Sequence, residues 1–169
     1  MKARRSSRRT SRNRKSGAPL SSLRTSEVVR TIVDHPRRLD ELVSLIEDSD
    51  LRVRDRAAAT LARLAESHPG RLRRVLDRLT EVLADDSAYV RWNLAFALGS
   101  IGARFPGRLP NLLARLTECL DDDNQVVRVI ACRSLLRIAS RHPKPVFSHL
   151  EASKRQLPVS LQRLLRSGR

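Results

Sequence analysis

Apolar positions in the middle of the chain recur at helical spacing and stop at regular breaks. Val28, Val29, Ile32 and Val33 keep three-and-four spacing and end before His35-Pro36, where proline disfavours helix in the residue ahead of it. Leu72, Val75, Leu76, Leu79, Val82 and Leu83 form a second stripe. Asp85-Asp86-Ser87 interrupts it and offers side-chain acceptors that cap a following helix. That helix carries Val90, Leu94, Ala97, Leu98 and Ile101, and Gly102 with Phe105-Pro106-Gly107 closes it. The pattern predicts pairs of helices joined by short turns, with no alternation of the kind a strand needs.

The pairs repeat at 37-residue spacing. Val53-Arg54, Val90-Arg91 and Val127-Arg128 share it, as do Leu61, Leu98 and Leu135, and Leu64, Ile101 and Ile138. Pro69, Pro106 and Pro143 keep the same period, and Pro69-Gly70-Arg71-Leu72 returns letter for letter as Pro106-Gly107-Arg108-Leu109. A period of this length is the mark of a stacked repeat architecture. Between Pro36 and Pro69 the spacing is shorter, which makes the opening unit atypical, as a capping repeat is. The units run from about 36–68, 69–105 and 106–142 inside a body spanning 26–150. An Arg/Ser-rich segment (1–25) precedes that body. Residues 151–169 follow it, with Leu161, Leu164 and Leu165 marking a C-terminal capping helix.

Three turn segments carry a resemblance to a known family: Asp-Ser-Asp-Leu-Arg-Val-Arg-Asp-Arg-Ala (48–57), Asp-Asp-Ser-Ala-Tyr-Val-Arg-Trp-Asn-Leu (85–94) and Asp-Asp-Asn-Gln-Val-Val-Arg-Val-Ile-Ala (122–131). They resemble HEAT repeats, a branch of the armadillo-like helical folds. The resemblance implies an all-α fold, a short right-handed α-α superhelix of helix pairs. It also implies a structural ladder between repeats made by an Asp in the turn and an Arg six residues later. The matching pairs are Asp48 and Arg54, Asp85 and Arg91, and Asp122 and Arg128. It carries little about function, because such arrays serve many ends.

Charge changes the picture at the ends. The chain carries a formal +16, and residues 1–24 contain nine Lys or Arg and no acid. Arg4, Arg5, Arg8, Arg9, Arg12, Arg14 and Lys15 are expected to form a disordered tail able to contact polyanions. The body between is close to neutral. Ser7-Arg8-Arg9-Thr10 has the start of a twin-arginine signal without the apolar run that must follow, and the tail lacks the apolar face of a transit peptide. The expected location is cytoplasmic, with no membrane partner. Cys119 and Cys132 have no metal-ligand spacing.

No catalytic constellation, cofactor motif or metal site emerges. His35, His68 and His142 precede prolines at equivalent helix ends, and Asp121-Asp122-Asp123 lacks the spacing and closing Glu of a calcium loop. The chain reads as a non-enzymatic binding module. Tyr89, Trp92 and Phe96 share one face of one helix, apart from its core face. Their equivalents in the neighbouring units are Arg52, Asp55 and Ala59, and Val126, Val129 and Arg133. By the resemblance, such variable positions face a concave groove. Clustered aromatics with arginines at the rim make a binding hot spot, so the expected site is Tyr89, Trp92, Phe96 and Val129 with Arg56, Arg133 and Arg137. The expected occupant is a protein or peptide. The alternative is DNA or RNA held by the tail and the groove arginines.

Overall fold

The structure is a computed structural model that describes residues 18–153 and 155–167. Among these residues there are nine α-helices and no strand. They are α1 (Thr25–Asp34), α2 (Leu39–Ser44), α3 (Leu51–Ser67), α4 (Leu76–Glu81) and α5 (Ala88–Arg104). They continue as α6 (Leu109–Glu118), α7 (Gln125–Ala139), α8 (Pro143–Ala152) and α9 (Val159–Ser167). Odd-numbered helices pack on odd-numbered neighbours, α1 on α3, α3 on α5, α5 on α7 and α7 on α9. Even-numbered helices form the second layer, with α6 against α8. The result is an all-α repeat superhelix, as the sequence predicts.

The two layers are built differently. Helices α3, α5 and α7 begin at side-chain caps: Asp50 accepts from the Arg52 amide, Ser87 from Val90, and Asn124 from Val126 and Val127. These caps satisfy amides that the first turn leaves without partners. Proline stands two residues past the ends of α1, α3 and α5, as Pro36, Pro69 and Pro106. The even elements start at those prolines and are broken. The stripe from Leu72 to Leu83 is a 3-10 run at Pro69–Val75, one α segment, and 3-10 again at Val82–Ala84. Leu72, Val75 and Leu79 still turn inward, because three-residue spacing stacks side chains on a 3-10 helix as well.

Both layers bury one continuous core in which Val90, Leu94, Leu98 and Ile101 are fully buried. Between α5 and α7 the backbones come close. A Cβ on Gly99 would stand 2.8 Å from the Cα of Ser134, and the Ser134 hydroxyl donates to the Ala95 carbonyl at 2.9 Å.

Part of the segment assigned to the tail belongs to this body. Leu20 and Leu23 are buried, the Leu20 amide donates to Glu41 Oε1 at 2.9 Å, and Arg38 donates to the Ala18 carbonyl at 2.7 Å. Two leucines three apart suffice to seat a 3-10 turn (Leu20–Ser22) on the first repeat. The packed body therefore includes residues ahead of 26. At the other end, Leu150, Leu157 and Leu161 are buried in the same core, so α8 and α9 add a further helix pair.

Candidate binding surface

On α5, Tyr89 and Trp92 lie one turn apart with ring centroids 5.1 Å apart and planes at 74°, the edge-on arrangement that aromatic quadrupoles favour. Tyr89 is 44% exposed, whereas Trp92 and Phe96 are half-buried, and Trp92 rests on the core. The Arg137 guanidinium lies over the Phe96 ring at 4.7 Å from its centroid and donates to the Ser100 hydroxyl. On α7, Val126 and Val129 are 51% and 42% exposed. Arg133 is exposed as well. Arg56 on α3 is exposed but points its guanidinium at the Ser21 carbonyl, tying the N-terminal segment to the odd layer. The sequence-predicted residues thus fall on three adjacent odd helices, with Arg137 meeting an aromatic directly. Arg4, Arg5, Arg8, Arg9, Arg12, Arg14 and Lys15 lie outside the described residues.

The Asp/Arg ladder runs in one direction. Each arginine uses one nitrogen on the carbonyls of its own turn, Arg54 on Asp48 (2.9 Å), Arg91 on Asp85 (2.9 Å), Arg128 on Asp122 (2.6 Å). The carboxylate it meets comes from the next turn. Arg54 Nε donates to Asp85 at 3.0 Å, and Arg91 grips both oxygens of Asp122 at 2.8 Å while also reaching Asp123. The carboxylate partner is therefore one repeat ahead of the one that spacing within a repeat suggests. Burial pushes the Asp122 carboxyl up, but hydrogen bonds from Arg91 and the Asn124 amide outweigh it and hold the group below its ordinary value. The bond to Asp122 also raises Arg91.

A second feature escaped the linear sequence: the layers divide the charge. Acids of the even layer are matched across repeats, with Asp40 paired to Arg74, Glu47 to Arg78, Asp77 to Arg108 and Asp121 to Arg155. A groove of about 490 Å³ between α4 and α6 is bridged in this way by Arg108–Asp77 and edged by Arg115–Glu118. The odd layer is one-signed toward its C-terminal end. Helices α5, α7 and α9 contain no acidic residue, yet carry Arg91 and Arg104, then Arg128, Arg133 and Arg137, then Arg163 and Arg166. Averaging over the body hides this asymmetry.

Among the described residues no group of His, Cys, Asp and Glu is placed to hold a metal ion, and no helix is long and apolar enough to cross a membrane. Cys119 and Cys132 are buried free thiols, and burial pushes Cys119 up to about 11, with the Asp122 and Glu118 charges adding to it. His149 is held below its ordinary value by burial, its ring within 3.1 Å of the Thr117 hydroxyl. Neither arrangement contains an activated nucleophile.

Comparison with known proteins agrees with this geometry. A family model described as HEAT-like repeat matches residues 51–101, and one described as PBS lyase HEAT-like repeat matches residues 90–122. Among solved structures, a designed armadillo repeat protein in complex with the peptide (KR)4 aligns with a TM-score of 0.55 at 18% identity. The alignment covers 87% of this chain and 68% of that one. At such identity the likeness is one of fold. No curated protein matches the chain in sequence.

Proposed function

Because the chain belongs to the HEAT/armadillo-like helical repeats, which typically serve as protein-binding scaffolds, we propose that it is a non-enzymatic scaffold gripping a protein partner on its odd-helix face. The observation that carries this reading is the Tyr89–Trp92 pair on α5, set between arginines of α3 and exposed valines of α7. Large aromatic area with guanidinium groups at the rim is the composition that dominates protein-binding energy. Helix caps and the core hold this face rigid, so little ordering cost falls on binding.

The test is site-directed photocrosslinking. A photoreactive residue replacing Tyr89 should yield discrete protein adducts in cells, resistant to nuclease. The same residue replacing exposed Lys144 on the even layer should yield none. Adducts of equal strength from both positions, or from neither, would overturn the reading. The basic odd layer favours one other reading, a nucleic acid held by the tail and these arginines. That binding would weaken steeply with salt and vanish when residues 1–17 are removed, whereas docking on the aromatics would survive, because Leu20 and Leu23 stay in place to cover the first repeat.

A further inference from the structure

The ladder has one rung without its carboxylate. Arg54 meets Asp85 and Arg91 meets Asp122, each from the following turn. Arg128 is posed the same way, half-buried, with Nη1 on the carbonyls of Asp122 and Asp123 at 2.6 and 2.9 Å. No described carboxylate meets its remaining nitrogens, and residues 152–169 contain no Asp or Glu. Asp48, Asp85 and Asp122 each stand three residues ahead of an odd helix, and the residue three ahead of α9 is the exposed Gln156. Counted back from the helix start, the position that the turn aspartates hold is here a neutral amide. Val129, the next residue of α7, and Val159, at the start of α9, are 42% and 61% exposed.

Resting on the scaffold reading above, we infer that Arg128 takes an Asp or Glu side chain from the partner, whose neighbouring apolar residue covers Val129 and Val159. The partner segment is therefore acidic and apolar in alternation. Charge complementarity supports this occupant, since α5, α7 and α9 present arginines and no acid. A protein carboxylate fits better than a nucleic-acid phosphate for two reasons. The two filled rungs are both aspartates, and the exposed valines ask for an apolar cover that a phosphate backbone does not supply.

The probe is a fluorescein-labelled synthetic peptide of Asp-Leu pairs separated by Gly and Ser, with its Asn-for-Asp counterpart and labelled oligo-dT as comparisons. All are titrated into the full chain. The Asp peptide should bind and the Asn peptide should not. Arg128→Gln should weaken binding about tenfold, the loss expected for one charge-assisted fork. Arg104→Gln removes the same charge elsewhere on the odd layer and should change affinity by less than about twofold. Gln156→Asp keeps Arg128 and the fold intact while supplying the carboxylate from within the chain. It should raise the melting temperature and expel the peptide together. Equal losses for Arg104→Gln and Arg128→Gln, no preference for Asp over Asn, or Arg128-dependent binding of oligo-dT alone would each overturn the inference. If Trp92→Ala abolishes peptide binding while Arg128→Gln does not, the rung assignment falls and the docking face stands. If neither variant matters, both fall.

Discussion

Arg91→Ala should be among the most damaging single changes on this chain, although the residue lies outside the apolar core. Its guanidinium makes two bonds to Asp122, one to Asp123 and two to the carbonyls of Asp85 and Asp86. The Arg91 and Asp122 side chains are only 13% and 10% exposed. Truncation leaves Asp122 nearly buried without its counter-ion, and breaking a buried pair from one side costs about 3–5 kcal/mol. Arg78 and Glu47 form an ion pair of the same chemistry between neighbouring repeats, but at 38% and 48% exposure. Solvent screening reduces such a pair to about 0–1 kcal/mol. For a chain of this size each kcal/mol moves the melting temperature by about 2–4 °C. Arg91→Ala should therefore melt roughly 4–20 °C lower than Arg78→Ala when followed by circular dichroism. Adding Asp122→Ala to Arg91→Ala should cost little more, since the stranded charge goes with it. Equal melting of the two single variants, or full additivity of the double, would refute the ladder argument.

Gly99→Ala should destabilise by about 1–3 kcal/mol, because the added methyl meets Ser134 backbone across a packed helix pair; urea unfolding measures it. Acid should act through two groups. Asp122 lies below its ordinary value in the fold, so its stabilisation is full above about pH 4 and drains as pH falls through the lowered folded value. His149 is depressed by burial, so the unfolded chain takes its proton first and stability starts to fall as pH drops through about 6.5. His149→Gln should flatten the upper limb of that profile, leaving the lower one to Asp122. Cys119 and Cys132 should react slowly with a thiol reagent at pH 8 and at once in denaturant; fast reaction of the native protein would contradict their burial.

Much of the architecture was readable because repetition multiplies weak signals. A single Val-Arg pair says little, whereas three at one period locate the start of α3, α5 and α7. The core positions Leu61, Leu98 and Leu135 followed from the same period, and all are fully buried. The ladder partners did not follow, since spacing within a repeat points to Asp85 with Arg91 and the side chain reaches forward to Asp122 instead. Contacts between repeats are set by how far one helix pair is displaced from the next, which no local spacing encodes. Leu20 and Leu23 were obscured in another way. Two leucines in a run of Ser, Pro and Arg look like tail until there is a first repeat for them to cover. Tyr89 and Trp92 were visible as a shared face, but the half-burial of Trp92 and the Arg137–Phe96 contact depend on how α7 lies beside α5.

Near neutrality of the body argues against a polyanion-binding face only if acids and bases are mixed on each surface. In this fold they are not. The even layer uses its acids to join repeats, and the turn aspartates Asp85 and Asp122 are consumed by Arg54 and Arg91. What remains on the odd helices is arginine without a matching acid, and unevenly so. Their acids, Glu27 and Asp34 on α1 and Asp55 and Glu66 on α3, all lie in the first half. Asp55 is moreover occupied by the Ser87 hydroxyl at 2.8 Å. Net charge on these helices therefore rises from −1 on α1 to +2 on α3 and α5 and +3 on α7, where Arg128 lacks its rung. A gradient of this kind orients a partner as well as attracting it. An acidic segment gains most with its carboxylates over α7 and α9 and its apolar end over Tyr89 and Trp92. The reversed orientation would carry those carboxylates toward α1, where Glu27 and Asp34 outnumber Arg30.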